Sequence, residues 1–227
     1  EFYGKMAPLL DRLYINDGKG NFTKGILPMI YENKSCVRPC DFDSDGDIDL
    51  FIGGRVLPFA YGLSPHSYLL QNNGKGQFQE VTDKFAKEIS TIGMVTDATW
   101  EDLDKDGDQD LSIVGEWMGI RIFEKQKGNL TEIKTGLEEN LGFWNAISKG
   151  DFDKDGDVDF IVGNLGTNTK LRKSAEGALK MYIKDIDKNE SKEQILTYNR
   201  GTDWFTVNTK DELGKQMPGI INKRFVE

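Results

Sequence analysis

The stretch Asp41–Asp49 reads DFDSDGDID, and it returns as DLDKDGDQD over Asp102–Asp110 and as DFDKDGDVD over Asp151–Asp159. Each copy alternates five aspartates through nine positions, with glycine at the sixth. The sets are Asp41, Asp43, Asp45, Asp47 and Asp49; Asp102, Asp104, Asp106, Asp108 and Asp110; and Asp151, Asp153, Asp155, Asp157 and Asp159. So many carboxylates repel one another in water, and no Lys or Arg cluster inside a loop neutralises them. A hard cation resolves the conflict, taking oxygens from the first, third, fifth and ninth residues and the carbonyl of the seventh. Glycine supplies the sharp turn. Calcium is the expected ion, because magnesium tolerates crowded all-protein cages poorly. The expectation is three Ca²⁺ sites.

The flanks say which kind of calcium loop this is. An EF-hand needs a bidentate Glu at position twelve and a helix on each side. Position twelve is Ile52, Ile113 and Val162, and each loop runs into a short apolar segment: LFIGG, LSIVG or FIVG. Such runs read as buried strands. Each loop therefore joins two strands. A fourth copy, DIDKNESKE over Asp185–Glu193, keeps Asp185, Asp187, Asn189 and Glu193 as ligand candidates but has Glu190 in place of the glycine. Glutamate in that turn is strained, so this site is expected to be weak or empty.

A second repeat runs out of step with the first. LYINDGKGNFTK (Leu13–Lys24), YLLQNNGKGQFQEVT (Tyr68–Thr82) and IRIFEKQKGNLTEI (Ile120–Ile133) each give a strand, a tip of Gly and Lys, and a second strand. Asp17–Gly18 and Asn73–Gly74 are hairpin signals. Interleaved, the two repeats give a unit of strand, acidic loop, strand, connection, strand, hairpin, strand, recurring at about 50 to 60 residues. Regular four-stranded units at that period are propeller blades.

The DxDxDGxxDLFIGG unit resembles the FG-GAP/VCBS repeat of integrin-type β-propellers. That resemblance implies calcium held between the first two strands of a blade. Together with the flanks of the second and third loops and TKDELGKQMPGIINKRF near the end, it is similar to secreted Bacteroidetes proteins of the cartilage-acidic-protein-like (ASPIC/UnbV-associated) class. The resemblance implies a fold more firmly than an activity. The chain departs from it at Cys40 and in the fourth loop.

The fold class expected is all-β: a β-propeller of four-stranded blades, about four to five blade equivalents, forming an arc of a larger propeller or a small closed ring. The segments are a partial blade over 1–34, blades over 35–92, 93–141 and 142–177, and a partial blade over 178–227. In the last, Thr209 and Glu212 form a capping box that starts a short helix at Lys210.

The 227 residues carry a net charge of −9, which argues against nucleic acid and anionic membrane as partners. No apolar run approaches the ~18 residues that span a bilayer. Extracellular calcium modules work at about 10⁻⁴ to 10⁻³ M ion, so an extracellular, cell-surface or periplasmic location is expected. The first residue is Glu1, which reads as a segment of a longer parent chain with other domains. Cys36 and Cys40, four apart on one strand, are too far apart for a disulfide and read as free thiols. His66, the single histidine, offers no nucleophilic machinery.

The function expected is a calcium-binding, non-enzymatic module for ligand binding, adhesion or scaffolding. Strand alternation puts Arg55, Glu116, Trp117, Trp144, Asn145, Asn164, Asn168 and Thr169 on the rim opposite the loops, where they suit a carbohydrate or protein ligand. The bland alternative makes Trp117 and Trp144 inter-blade core and the asparagines turn formers. A glycan lyase or hydrolase using Glu116 is the rival from another class, and a purely structural segment is the third reading.

Overall fold

The computed structural model describes residues 5–166 and 178–224. Strands come in chain order as β1 (Tyr14–Asn16), β2 (Phe22–Lys24), β3 (Asn33–Cys40), β4 (Asp49–Val56), β5 (Tyr68–Asn72) and β6 (Phe78–Glu80). The helical turn α1 (Thr82–Phe85) leads to β7 (Met94–Glu101), β8 (Asp110–Met118), β9 (Arg121–Gln126) and β10 (Asn129–Ile133). Then follow β11 (Gly142–Gly150), β12 (Asp159–Asn164), β13 (Leu179–Lys184), β14 (Glu193–Arg200) and β15 (Asp203–Thr206), and the helices α2 (Lys210–Gln216) and α3 (Pro218–Arg224). The protein is all-β, built of antiparallel sheets of the propeller-blade kind. No helix of the described residues is long and apolar enough to cross a membrane. Two compact units are present, Glu1–Val56 with Ser64–Asn164 and Leu57–Leu63 with Leu165–Glu227.

In the first unit, β3–β4–β5–β6 form one four-stranded blade and β7–β8–β9–β10 the next. Each acidic loop joins the first strand of a blade to the second, and each Gly-Lys tip closes the third onto the fourth. The second strands lie between neighbours in the sheet and are covered on both faces, which is why LFIGG and LSIVG are nearly continuous apolar runs. Phe51, Leu69, Leu111, Ile113 and Phe123 are sealed from solvent in one cluster spanning both blades, with Phe42 and Trp100. FIVG behaves differently: Ile161 in β12 is 61% exposed. This corrects the expectation of a buried strand there; β12 is the last strand of its sheet among the described residues, with a partner on one side only.

The first strands are bulged at the same place, six residues before each loop. Register shifts fall at Ser35, Thr96 and Asn145. At Ser35 and Thr96 the bulge turns a hydroxyl outward to stitch blades together. Ser35 donates to the carbonyls of Gly53 (3.2 Å) in its own blade and Val95 (2.8 Å) in the next. Thr96 repeats this on Val114 (3.2 Å) and Trp144 (2.6 Å). Asp97 adds a three-way joint, pairing with Arg38 on β3 and accepting from the Ile147 amide on β11 at 3.1 Å. Glycine permits this closeness, since a Cβ on Gly53 would stand 2.6 Å from Val95 Cγ1.

Within the second unit, β13–β14–β15 form a three-stranded sheet, with the Asp185–Glu193 loop between β13 and β14. Thr209 caps α2 by accepting from the Glu212 amide (3.2 Å), and Glu212 accepts from the Thr209 amide (2.8 Å). Leu213 and Met217 are buried there.

Candidate metal centres

Every acidic loop folds around its first aspartate. The Asp41 carboxylate accepts from the amides of Asp45 (3.1 Å) and Gly46 (3.0 Å). Asp102 does the same with Asp106 (3.1 Å) and Gly107 (3.0 Å). Asp151 receives Lys154 (2.7 Å) and Gly156 (3.1 Å). The third residue caps the fifth: Asp43 accepts from Asp45 (3.3 Å), Asp104 from Asp106 (3.2 Å) and Asp153 from Asp155 (3.2 Å). The fifth in turn caps the seventh, as Asp45, Asp106 and Asp155 each accept from the amide two residues on, at 2.8–2.9 Å. The alternation of aspartate is thus a ladder of Asx turns that aims the carboxylates inward.

Two left-handed residues close each turn. The glycine at position six has φ 92° in Gly46, 94° in Gly107 and 91° in Gly156. Position four is left-handed as well, although it is never glycine: Ser44, Lys105 and Lys154 have φ 63°, 63° and 67°. The sequence gives no sign of this second strained site.

The ninth carboxylate does more than the spacing predicts. Asp49 is 1% exposed and receives the amides of Phe42 (3.2 Å) and, from β5, Asn72 (2.7 Å). Asp110, 2% exposed, receives Leu103 (2.9 Å) and, from β9, Lys125 (3.0 Å). Asp159 receives Phe152 at 2.8 Å. Asp49 and Asp110 thus tie their loops to the third strand of the blade. Burial pushes the Asp49 carboxyl up to about 6 and that of Asp110 upward; a cation beside either would favour the ionised form. The seventh side chains leave the loop. Asp108 pairs with Lys125, Asp157 pairs with Lys105, and Asp47 lies against Gly74 of the neighbouring hairpin tip.

The fourth loop keeps the same plan with different residues. Asp185 accepts from Asn189 (3.0 Å) and Glu190 (3.1 Å), Asn189 accepts from Ser191 (2.8 Å), and Glu193 accepts from Ile186 (2.6 Å). Lys188 and Glu190 take the left-handed turns, at φ 62° and 70°.

Carboxylate oxygens converge in all four loops: Asp41, Asp43 and Asp45; Asp102, Asp104 and Asp110; Asp151, Asp153 and Asp159; Asp185, Asp187 and Glu193. Within each group one oxygen per residue lies within 4.8 Å of the others. Ligands on opposite sides of a calcium ion at about 2.3–2.6 Å stand roughly 5 Å apart, so the groups fit such an ion. Asp187 Oδ1 strengthens the fit, being shielded from solvent with no hydrogen-bond partner. These clusters could hold a metal ion.

The expected rim residues among those described sit at the strand ends away from the loops, and many are engaged. Arg55 pairs with Glu116 at 2.6 Å. Trp117 packs edge-to-face on Phe143, ring centres 4.7 Å apart. Trp144 lies against Val114, Ile120 and Ile147, and its Nε1 donates to the Asn140 carbonyl at 3.1 Å. Asn145 occupies the bulge of β11, and Asn164 stands opposite Trp144 in the register. Asn168 and Thr169 lie outside the described residues. Cys36 and Cys40 are both free on β3, with burial holding the Cys40 thiol up near about 12.

A family model described as FG-GAP-like repeat matches residues 41–113 and 102–162, together more than half of the chain. The chain belongs to that family. The match is to the repeat, and it does not extend to the cartilage-acidic-protein-like class. No curated protein matches the chain.

Proposed function

We propose that this member of the FG-GAP-like repeat family is a calcium-binding module that works outside the cell, holding a ligand or a neighbouring domain rather than turning over a substrate. Repeats of this kind are typical of extracellular proteins. The observation that carries the reading is the convergence of carboxylate oxygens within 4.8 Å in four loops of shared hydrogen-bond plan. Asp41, Asp43 and Asp45 in the first loop, and the first, third and ninth carboxylates in the others, would hold the ions. The ion would cancel carboxylate repulsion and lock each loop between its strands.

The rim opposite the loops is the proposed contact surface for a carbohydrate or protein partner. Trp117 and Asn164 stand there, while Trp144 is drawn into packing. Glu116 is ion-paired with Arg55, which favours a recognition role over acid–base chemistry. Calorimetric titration of the metal-stripped chain with CaCl₂ and with MgCl₂ tests the metal reading. Calcium uptake at several sites is expected, with magnesium weaker; no heat of calcium binding and no change in melting would overturn it.

A further inference from the structure

A lysine that belongs to neither loop stands between loops one and two. Lys125, on β9, reaches Ser44 Oγ at 2.9 Å and Asp108 Oδ1 at 2.8 Å, and its side chain is only 8% exposed. Between loops two and three the same connection is made by Lys105, which pairs with Asp157. Both links therefore run from position four of one loop to position seven of the next. Position four is the left-handed residue of its loop, at φ 63° in both Ser44 and Lys105. Position seven is the residue whose carbonyl would face the ion, so fixing its side chain fixes that carbonyl.

We propose that Lys125 and Lys105 couple successive metal loops, so that closing one loop around its ion prepares the next to bind. This rests on the calcium reading above. In an empty loop the carboxylates repel, position four is released, and the lysine loses one of its anchors. The following loop must then order its seventh residue at the moment of binding. Once the first loop has closed, that ordering is already done and the second ion binds more tightly, a positive coupling that needs no movement of the blades. By linkage the second ion strengthens the first by the same factor. The buried link should couple more strongly than the exposed one, since Lys105 and Asp157 are 62% and 67% exposed and solvent screens them.

A second effect of the lysines points the other way and separates the explanations. A fixed positive charge repels a divalent ion, so simple electrostatics has Lys125→Met tighten both loops and leave their independence untouched. Coupling has Lys125→Met abolish the response of one loop to the other. Calcium titration of the full chain, followed by NMR at the amides of Gly46, Gly107 and Gly156, resolves the loops, since each amide bonds the first aspartate of its own loop.

Disabling loop one with Asp43→Ala is expected to weaken calcium binding at Gly107 about fivefold, at the low end of typical coupling factors, and at Gly156 less than twofold. In Lys125→Met the same Asp43→Ala change should leave the Gly107 titration unmoved, and Lys125→Arg should restore the effect. Asp108→Asn, which removes the ion pair from the other side and keeps the backbone carbonyl, gives the same readout should Lys125→Met fail to fold. A Gly107 titration indifferent to Asp43→Ala, or an effect that persists without Lys125, overturns the coupling alone. Absence of calcium binding at all three glycines overturns it together with the metal reading.

Discussion

Loop two, Asp102–Asp110, and loop four, Asp185–Glu193, reach one shape from different residues. In both, the first aspartate gathers the amides of positions five and six, and the ninth carboxylate takes the amide of position two. Loop two puts glycine at the sixth position, whereas loop four puts Glu190 there at φ 70°. A non-glycine residue held left-handed costs about 1–2 kcal/mol. The carboxylate-to-amide ladder therefore sets the turn, and glycine only relieves it. The loops also differ in their anchorage: Asp110 grips a third strand through the Lys125 amide, while the Glu193 bond to Ile186 stays within the loop.

The largest test of this contrast is removal of the ion. A ligand that binds only the folded state stabilises it by about 2.7 kcal/mol per site at a hundredfold excess over Kd. Three glycine loops in the first unit should make its melting fall by about 10 °C or more on chelation. The second unit, with one strained loop, should move less. Scanning calorimetry in calcium, magnesium and EDTA reads both; equal shifts would erase the distinction.

Anchorage comes next. Asp110→Ala leaves the half-buried amides of Leu103 and Lys125 without their acceptor, at about 2–4 kcal/mol, and the loss should persist in EDTA because it is not the ion's. Glu193→Ala strips one amide and should cost about 1–2 kcal/mol under the same conditions. Urea unfolding in EDTA compares the two. If Asp110→Ala is harmless without metal, the ninth carboxylate is a ligand and nothing more.

The turn itself can be exchanged in both directions. Glu190→Gly should stabilise the second unit by about 1 kcal/mol and tighten calcium there, while Gly107→Glu should destabilise the first by about 1–2 kcal/mol. Unchanged melting in both variants would remove strain as the difference. The smallest effect belongs to position five. Asn189→Ala gives up one exposed bond to the Ser191 amide and should cost under about 0.5 kcal/mol, whereas Asp106→Ala should also weaken a calcium site measurably by calorimetry.

What could be read beforehand was whatever is written within a dozen residues. The loop spacing, the strand runs after it and the hairpin tips are local, and the structure forms β4, β8 and all three hairpins from them. The bulges at Ser35, Thr96 and Asn145 have no residue signature, because a serine, a threonine and an asparagine fill them. Nor does any local pattern join Lys125 to Ser44, which lies 81 positions away. The rim was legible as a location through strand alternation. Its chemistry was not, since only packing shows that Trp144 serves the Val114–Ile147 cluster and that Arg55 closes on Glu116. FIVG misled for a related reason: sequence reports that β12 is apolar, but not how many strands flank it.

The hydroxyl of Ser35 reaches into the next blade for a main-chain carbonyl, and the hydroxyl of Thr96 does the same. Every residue type possesses that carbonyl. The joint thus asks nothing of the neighbour's side chain, and donor and acceptor each travel inside a single repeat. A genetic event that duplicates or deletes one whole repeat would leave a matched joint on both sides of the change. The bulge thereby gives the chain a means of altering its length in whole blades without rewriting the sequence of those it keeps.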